Sequence, residues 1–381
     1  MKVIRNGTVF VDDHFVEKDL AFDDGIITDI APPGSIDGEC YDAAGAYVLP
    51  GFVDIHTHGC VNYDFCDADP AGMEKMLSYY GRSGVTSVIL TTMSYGEDVL
   101  SGIIRVALNY IGKKGYGAIL RGVNLEGPFI NKAKRGAQNP DYITGPDIGL
   151  FDRLYDAFEG SIRLLDIAPE LPGSMYLIRH ASKRCKVSLA HTCADYDCAA
   201  AAFDAGASNV THLFNAMPGY HHRAPGVVGA AFEKADYVEI VSDGVHLHPS
   251  VVRAVFRMFG AHRICLVSDS TRGTGMPDGE YELGGQAIVI KDGRSNLLDN
   301  GAIAGSATNL IECFRRAVTF GIPLEDAVRA SSYNPARAAA IISDAGSLKP
   351  GKSADILILD SALEVKAVFA AGSRVDDNVD G

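Results

Sequence analysis

The sequence predicts an α/β protein: a (β/α)8 TIM-type barrel carrying a small, sandwich-like β domain assembled from both ends of the chain. Three observations predict it. The middle of the chain alternates short apolar runs with longer stretches of helical composition, and there are eight such runs, the number that closes a barrel. The two ends instead alternate apolar and polar residues around Asp-Asp and Asp-Gly turn signals, as short antiparallel strands do. Finally, potential metal ligands and proton carriers fall at the ends of six of the eight runs. Barrel enzymes build their sites on that face of the strands, so residues more than two hundred positions apart would converge.

Taken in order, residues 1–50 open with Val3, Arg5, Thr8, Val9 and Val11, then Leu20, Phe22, Ile26, Ile27 and Ile30. Residues 345–381 share that character, through Ala354-Asp355-Ile356-Leu357-Ile358-Leu359 and Val365 to Phe369. Between them, residues 51–344 are predicted to hold the barrel. Its strands are predicted at Val53 to His58, Val85 to Thr92, Ile119 to Glu126, Ile162 to Ala168, Val187 to Thr192, Asn209 to Phe214, Val238 to Val245 and Ile264 to Asp269. Helical composition marks Pro70 to Arg82, Glu97 to Lys114, Ser174 to Arg184, Asp195 to Ala205 and Pro249 to Phe259, with Ala307 to Phe320, Leu324 to Ala330 and Pro335 to Ile342 closing the barrel. Residues 281–298, with Gly284-Gly285 and Asp292-Gly293, read as a hairpin inserted after the eighth strand. An open doubly wound sheet competes, but no Gly-x-Gly-x-x-Gly follows an early strand.

Composition narrows the function classes. A formal charge of −14 argues against nucleic acid, which needs a basic face, but leaves an anionic small substrate possible. Apolar runs stay short of the roughly 18 residues that cross a bilayer, and Met1 to Asn6 lacks a signal-peptide core, so a cytoplasmic location is expected. The eight cysteines contain no CxxC pair and read as reduced thiols; Cys193 and Cys198 lack the second pair a zinc knuckle needs.

His56 and His58 close the first strand. Side chains alternate along a strand, so the two imidazoles share a side and make half a metal site. The other strand ends offer Glu126, His191, His212, His246 and Asp269. Nitrogen-rich ligands with one carboxylate suit zinc or iron better than calcium or magnesium. Glu126 is placed to ligate one ion or bridge two. Asp269 is the candidate general acid/base, its bland alternative being a helix N-cap before Ser270-Thr271.

These residues carry a resemblance. The runs PGFVDIHTHG from Pro50, NLEGPFIN and KRGAQNP, LAHT, THLFNAM, HHRAPGVVGAAF, SDGVHLHP, LVSDS, DGEYELGG, IAGSATNL and GSLKPGKSADILILD are similar, nearly end to end, to the N-acetylglucosamine-6-phosphate deacetylases of the amidohydrolase superfamily. The resemblance implies that Glu126, His191 and His212 hold the metal common to the family, and that His56 and His58 belong to the branch able to bind a second ion. It implies Asp269 as general acid/base, Asn215 and Ala216 as phosphate-binding positions, His246 as a sugar contact, and Arg223 as a phosphate ligand contributed by the neighbouring subunit of a homodimer. Arg is suited to bidentate phosphate binding; the bland alternative for Arg223 is a solvated surface cation. Two positions depart from many relatives. Gln138 stands where some have a histidine that polarises the amide carbonyl, and an amide can donate but not carry a proton. Arg272, in Thr271-Arg272-Gly273-Thr274-Gly275, stands among residues that are small and apolar in many relatives; it would contact a substrate anion or lie on a lid.

The expected reaction is deacetylation of N-acetyl-D-glucosamine 6-phosphate to glucosamine 6-phosphate and acetate, with metal-bound hydroxide as nucleophile. The same chemistry on N-acetylgalactosamine 6-phosphate is the nearest alternative. A dihydroorotase-type cyclic amidohydrolase would want a lysine on the fourth strand, where Ile162 to Ala168 has none. A catalytically silent scaffold barrel would be expected to have lost ligands, and here each expected position is kept.

Overall fold

A computed structural model describes residues 1–158 and 160–375. The last positions of the predicted terminal β domain, 376–381, lie outside the described residues. Eight parallel strands form the barrel wall in chain order, from Phe52–Thr57 through Val85–Thr91, Ile119–Glu126, Ile162–Ile167, Lys186–Leu189, Asn209–Val210 and Tyr237–Ile240 to Ile264–Leu266. The first and eighth strands meet just beyond their ladders: Asp269 N–H donates to the His56 carbonyl at 2.9 Å, and the N–H groups of His58 and Gly59 donate to the Ser270 carbonyl at 2.8 and 3.1 Å. This seam ties the His56-x-His58 segment directly to Asp269.

Helices cover the wall, and their starts follow from local chemistry. Asp69 accepts from the N–H groups of Ala71 and Gly72 to begin Pro70–Arg82, and His248 accepts from Ser250 N–H to begin Pro249–Phe259. In both, proline occupies the first turn, where its missing N–H costs nothing. Several predicted boundaries need correcting. The fifth, sixth and eighth strands stop at Leu189, Val210 and Leu266, short of Thr192, Phe214 and Asp269, because His191, His212 and Asp269 take positive φ (43°, 30° and 49°) and turn the chain out of the sheet. The seventh likewise ends at Ile240, so His246 stands in the loop beyond it. Two helices went unpredicted, Ile148–Ala157 and Gly226–Lys234.

The predicted hairpin is a three-stranded meander, Gly279–Leu283, Gln286–Lys291 and Arg294–Leu297. Both connections are two-residue turns with positive φ throughout, at Gly284-Gly285 and Asp292-Gly293, which matches the twist of the strands they join. The meander builds its own small core from Leu283, Ile288, Ile290 and Leu297 against Met93 and Ala137.

The terminal strands make one continuous eight-stranded sheet, with Ile356–Leu359 pairing antiparallel to Tyr47–Pro50 and thereby joining the two ends of the chain. It curls until its far halves face each other, as the Phe22 and Phe369 rings do at 5.5 Å, which gives the sandwich-like character. Period-two alternation then serves two cores. Val48, Ile356 and Ile358 fill the sheet's interior, whereas Leu49, Leu357 and Leu359 pack into the barrel core.

Candidate metal centre and active site

His56 projects from the first barrel strand into a fully buried position. Its Nδ1 lies 3.0 Å from Oε2 of Glu239, a carboxylate on the seventh strand. That contact makes Nδ1 the proton-bearing nitrogen and leaves the Nε2 lone pair facing the barrel axis, 3.5 Å from Glu126 Oε1 and 3.7 Å from Asp269 Oδ1. His191 is fixed in the same sense, its Nδ1 donating to the Lys134 carbonyl at 2.8 Å while Nε2 lies 3.1 Å from Glu126 Oε1. His212 Nε2 stands 3.3 Å from that oxygen and 3.1 Å from His191 Nε2. His58 directs Nε2 to Glu126 Oε2 at 3.4 Å and Asp269 Oδ1 at 3.3 Å.

Two ligand groups therefore share one glutamate: His56, His58 and Glu126, and Glu126, His191 and His212, each with ligand atoms within 4.8 Å of one another. The arrangement fits a divalent cation. Nitrogen lone pairs and carboxylate oxygens are turned toward one another, and His56 Nε2 is buried there with no hydrogen-bond partner. The electrostatics agree. Burial alone would lower the pKa of His56, His58 and His191, yet the surrounding carboxylates raise all three, so the pocket demands positive charge. Glu126 is held well below the usual carboxylate range against the effect of burial, by the charge of His56 and by its close contacts with His191 and His212. Four imidazoles around one carboxylate, two in each group, are the donors zinc and iron prefer.

Asp269 sits above the first group. Burial would raise its pKa, but the hydrogen bond from His58 and the charges of His56 and His58 hold it down at about 2. It is no helix cap, since the residues after it form turns and a bridge to Ser306. His191, His212 and Asp269 all occupy the left-handed region. Such backbone costs on the order of 1 kcal/mol each and persists where surrounding contacts hold it, as at functional sites.

A cavity of about 280 Å³ opens over these groups. His58, Glu126, His191, His212, Asp269, Gln138, Asn215, Ala216 and His246 all line it; His56 lies beneath, and Arg223 lies outside. Arg223 is exposed, and its Nη1 donates to Nε2 of the neighbouring His222 at 2.8 Å. His246 is oriented by Asp243, whose Oδ2 lies 2.8 Å from His246 Nδ1 while Oδ1 accepts the N–H groups of Val245 and His246. Asn215 spends its side-chain amide on the carbonyls of His212 and Leu213, at 3.2 and 3.3 Å, which shapes the loop next to the metal ligands.

Gln138 is committed at both ends. Its Oε1 accepts Ser94 N–H at 2.7 Å and its Nε2 donates to Glu126 Oε2 at 2.7 Å, an orientation both partners require. It steadies the shared glutamate. Arg272 lines no part of the cavity; it pairs with Asp67 at 2.7 Å and joins the loop after the eighth strand to the loop after the first.

Sequence reasoning passed over Glu239, Asp243, Lys134 and Asp166. A signal existed for the first: Glu239 interrupts the apolar run Tyr237-Val238-Glu239-Ile240-Val241, and a carboxylate buried mid-strand needs a partner. Lys134 lines the cavity with Nζ 3.3 Å from the Met217 carbonyl.

Residues 47–375 match the model of the amidohydrolase family. The chain is 33% identical over 378 residues to the N-acetylglucosamine-6-phosphate deacetylase of Bacillus subtilis (strain 168), spanning 98% of this chain and 93% of that one. It is 32% identical over 367 residues to the N-acetylgalactosamine-6-phosphate deacetylase of Escherichia coli O157:H7, spanning 95% of each. Among solved structures, it superposes with a TM-score of 0.92 and 31% identity on a mutant N-acetyl-D-glucosamine-6-phosphate deacetylase from Mycobacterium smegmatis in complex with N-acetyl-D-glucosamine-6-phosphate, covering 98% of this chain and 99% of that one.

Proposed function

The chain belongs to the amidohydrolase family, and from that membership we propose that it is a metal-dependent N-acetylglucosamine-6-phosphate deacetylase, releasing acetate and glucosamine 6-phosphate. One observation carries the reading: two ligand groups sharing Glu126, with Asp269 Oδ1 3.3 Å from His58 Nε2, lie under a cavity in a chain similar over 98% of its length to enzymes of that name.

Glu126, His191 and His212 would hold one divalent ion, zinc or iron, and His56 and His58 with Glu126 would be available to a second. When bound, such an ion would supply a Lewis acid able to acidify water and polarise a carbonyl. Asp269, ionised at neutral pH, accepts the proton of the attacking water. It returns that proton to the amide nitrogen as the C–N bond breaks, so acetate and the free amine leave. Gln138 keeps Glu126 in place, and Asp243 holds His246 toward the sugar. Asn215 and Ala216 form the phosphate end, completed by Arg223 from a second copy of the chain. What supports that last assignment is an exposed arginine outside its own cavity, directly after His221 and His222.

The galactosamine epimer is the second reading, favoured by the 32% identity to a deacetylase of that sugar. Among the described residues no helix is long and apolar enough to cross a membrane, and all eight cysteines are free thiols, which supports work in a reducing cytoplasm.

The test is acetate release from both 6-phosphates by metal-loaded protein, with a chelated control. Release from the glucosamine derivative, abolished by chelation, is expected. Faster release from the galactosamine derivative would reverse the order of the two readings, and none from either would sink both.

A further inference from the structure

We propose that Met93 and Leu283 form the wall against which the acyl methyl group packs, so that the three-stranded meander sets which N-acyl groups are removed; this rests on the deacetylase reading above. The cavity is divided by polarity. Asn215, Ala216 and Lys134 adjoin His191 and His212 on one side: Asn215 N–H donates to the His212 carbonyl at 2.9 Å, and the Lys134 carbonyl accepts from His191 Nδ1. Met93 lies on the other, its Sδ 3.6 Å from Gln138 Nε2, which in turn reaches Glu126 Oε2. Leu283 and Ala137 continue that apolar side.

An N-acetyl hexosamine phosphate has one small apolar group, the acetyl methyl. With the phosphate at the polar end and the carbonyl over the glutamate and Asp269, the methyl group falls toward Met93 and Leu283. Contact there removes apolar surface from water, and the opposite orientation would bury a phosphate against hydrocarbon.

The wall is built rather than incidental. Met93 and Leu283 line the cavity and are otherwise buried, at 2% and 1% exposed. The turn at Gly284 has positive φ, and a Cβ there would stand 2.9 Å from Met93 Cε, so the tip of the meander is seated on the methionine. The Gln286 side chain clamps the same tip by donating to the Ala137 carbonyl. A wall held this tightly leaves little room for a longer acyl chain.

The test compares kcat/KM for the N-acetyl, N-propionyl and N-butyryl forms of glucosamine 6-phosphate in wild type, Leu283→Ala, Met93→Ala and the volume-conserving Leu283→Met. One methylene changes such a ratio by about 10- to 200-fold in a closed pocket, so wild type and Leu283→Met should reject butyryl strongly. Each alanine variant should move the butyryl-to-acetyl ratio toward butyryl by at least about tenfold. The ratio is read within one preparation, so partial unfolding of a variant cancels. If wild type is active on the acetyl form and neither alanine variant moves the ratio, the acyl wall is wrong while the deacetylase stands. If wild type cleaves none of the three, the deacetylase reading falls and this assignment with it.

Discussion

A single carboxylate oxygen, Oε2 of Glu239, lies 3.0 Å from Nδ1 of His56 and accepts the backbone N–H of His212 at 3.4 Å. His56 belongs to one ligand group and His212 to the other. Glu239 thus fixes a ring in the first and the strand-end turn that presents a ligand in the second. It is 1% exposed, so the contact is dry and its removal cannot be made good by solvent.

Glu239→Ala should therefore weaken metal binding by about 10- to 100-fold, the usual effect of losing a partner behind a ligating histidine. The larger loss should fall on the group containing His56. Competition with a calibrated chelator, read as ions bound per chain, checks this. Unchanged affinity and stoichiometry would mean that His56 needs no support.

Gln138→Ala removes the donor to Glu126 Oε2 and strands the buried N–H of Ser94. An unsatisfied buried donor costs about 1–3 kcal/mol. The variant should melt at a lower temperature even without metal, and should bind metal less tightly because Glu126 loses its brace. A drop in kcat with melting temperature and metal affinity intact would instead favour direct carbonyl polarisation by Gln138.

Asp166 is buried in the barrel, accepting from Thr211 Oγ1 at 2.8 Å and Asn124 Nδ2 at 3.3 Å. Burial, reinforced by the negative charge of Glu126, pushes its pKa up to about 8. The unfolded value is near 4, so between about pH 4 and pH 8 the folded state binds more protons than the unfolded one. Stability is then highest near the acid end of that window and falls as pH rises through it, by up to a few kcal/mol. Asp166→Asn removes the share of Asp166 and leaves that of Asp54, which burial raises to about 7. Urea midpoints of chelated protein at pH 5, 7 and 9 should fall more steeply in wild type than in the variant; parallel curves would refute the assignment.

How much of this was legible depended on the range of the interaction. The apolar runs and crossovers announced the barrel because their period is local, and ligands at strand ends could be named because the barrel's geometry makes those ends converge. What failed was of two kinds. Strand lengths were overestimated at His191, His212 and Asp269, since a left-handed residue held by tertiary contacts leaves no mark in a propensity pattern. The helix Gly226–Lys234 was missed because Gly226, Val227, Val228 and Gly229 are poor helix formers, and it is burial of those very residues that holds it. The pairing of His56 with Glu239 spans 183 positions, and only the folded chain brings it together.

Arg223 offers the sharpest test of the assembly. The guanidinium lies outside its own cavity, so its proposed action requires a second chain. Arg223→Ala should raise KM for the 6-phosphate sharply, whereas Asp269→Asn should lower kcat by about 10²–10⁴-fold, the usual worth of general acid/base catalysis. Mixing the two variants separates the geometries. If Arg223 serves the partner's site, a mixed dimer has one complete site, because the Arg223→Ala chain keeps Asp269 and receives arginine from the Asp269→Asn chain. Equal mixing and free exchange then restore about a quarter of wild-type sites from two nearly inactive parents. If Arg223 serves its own site, every site in every dimer lacks one group or the other, and mixing restores nothing.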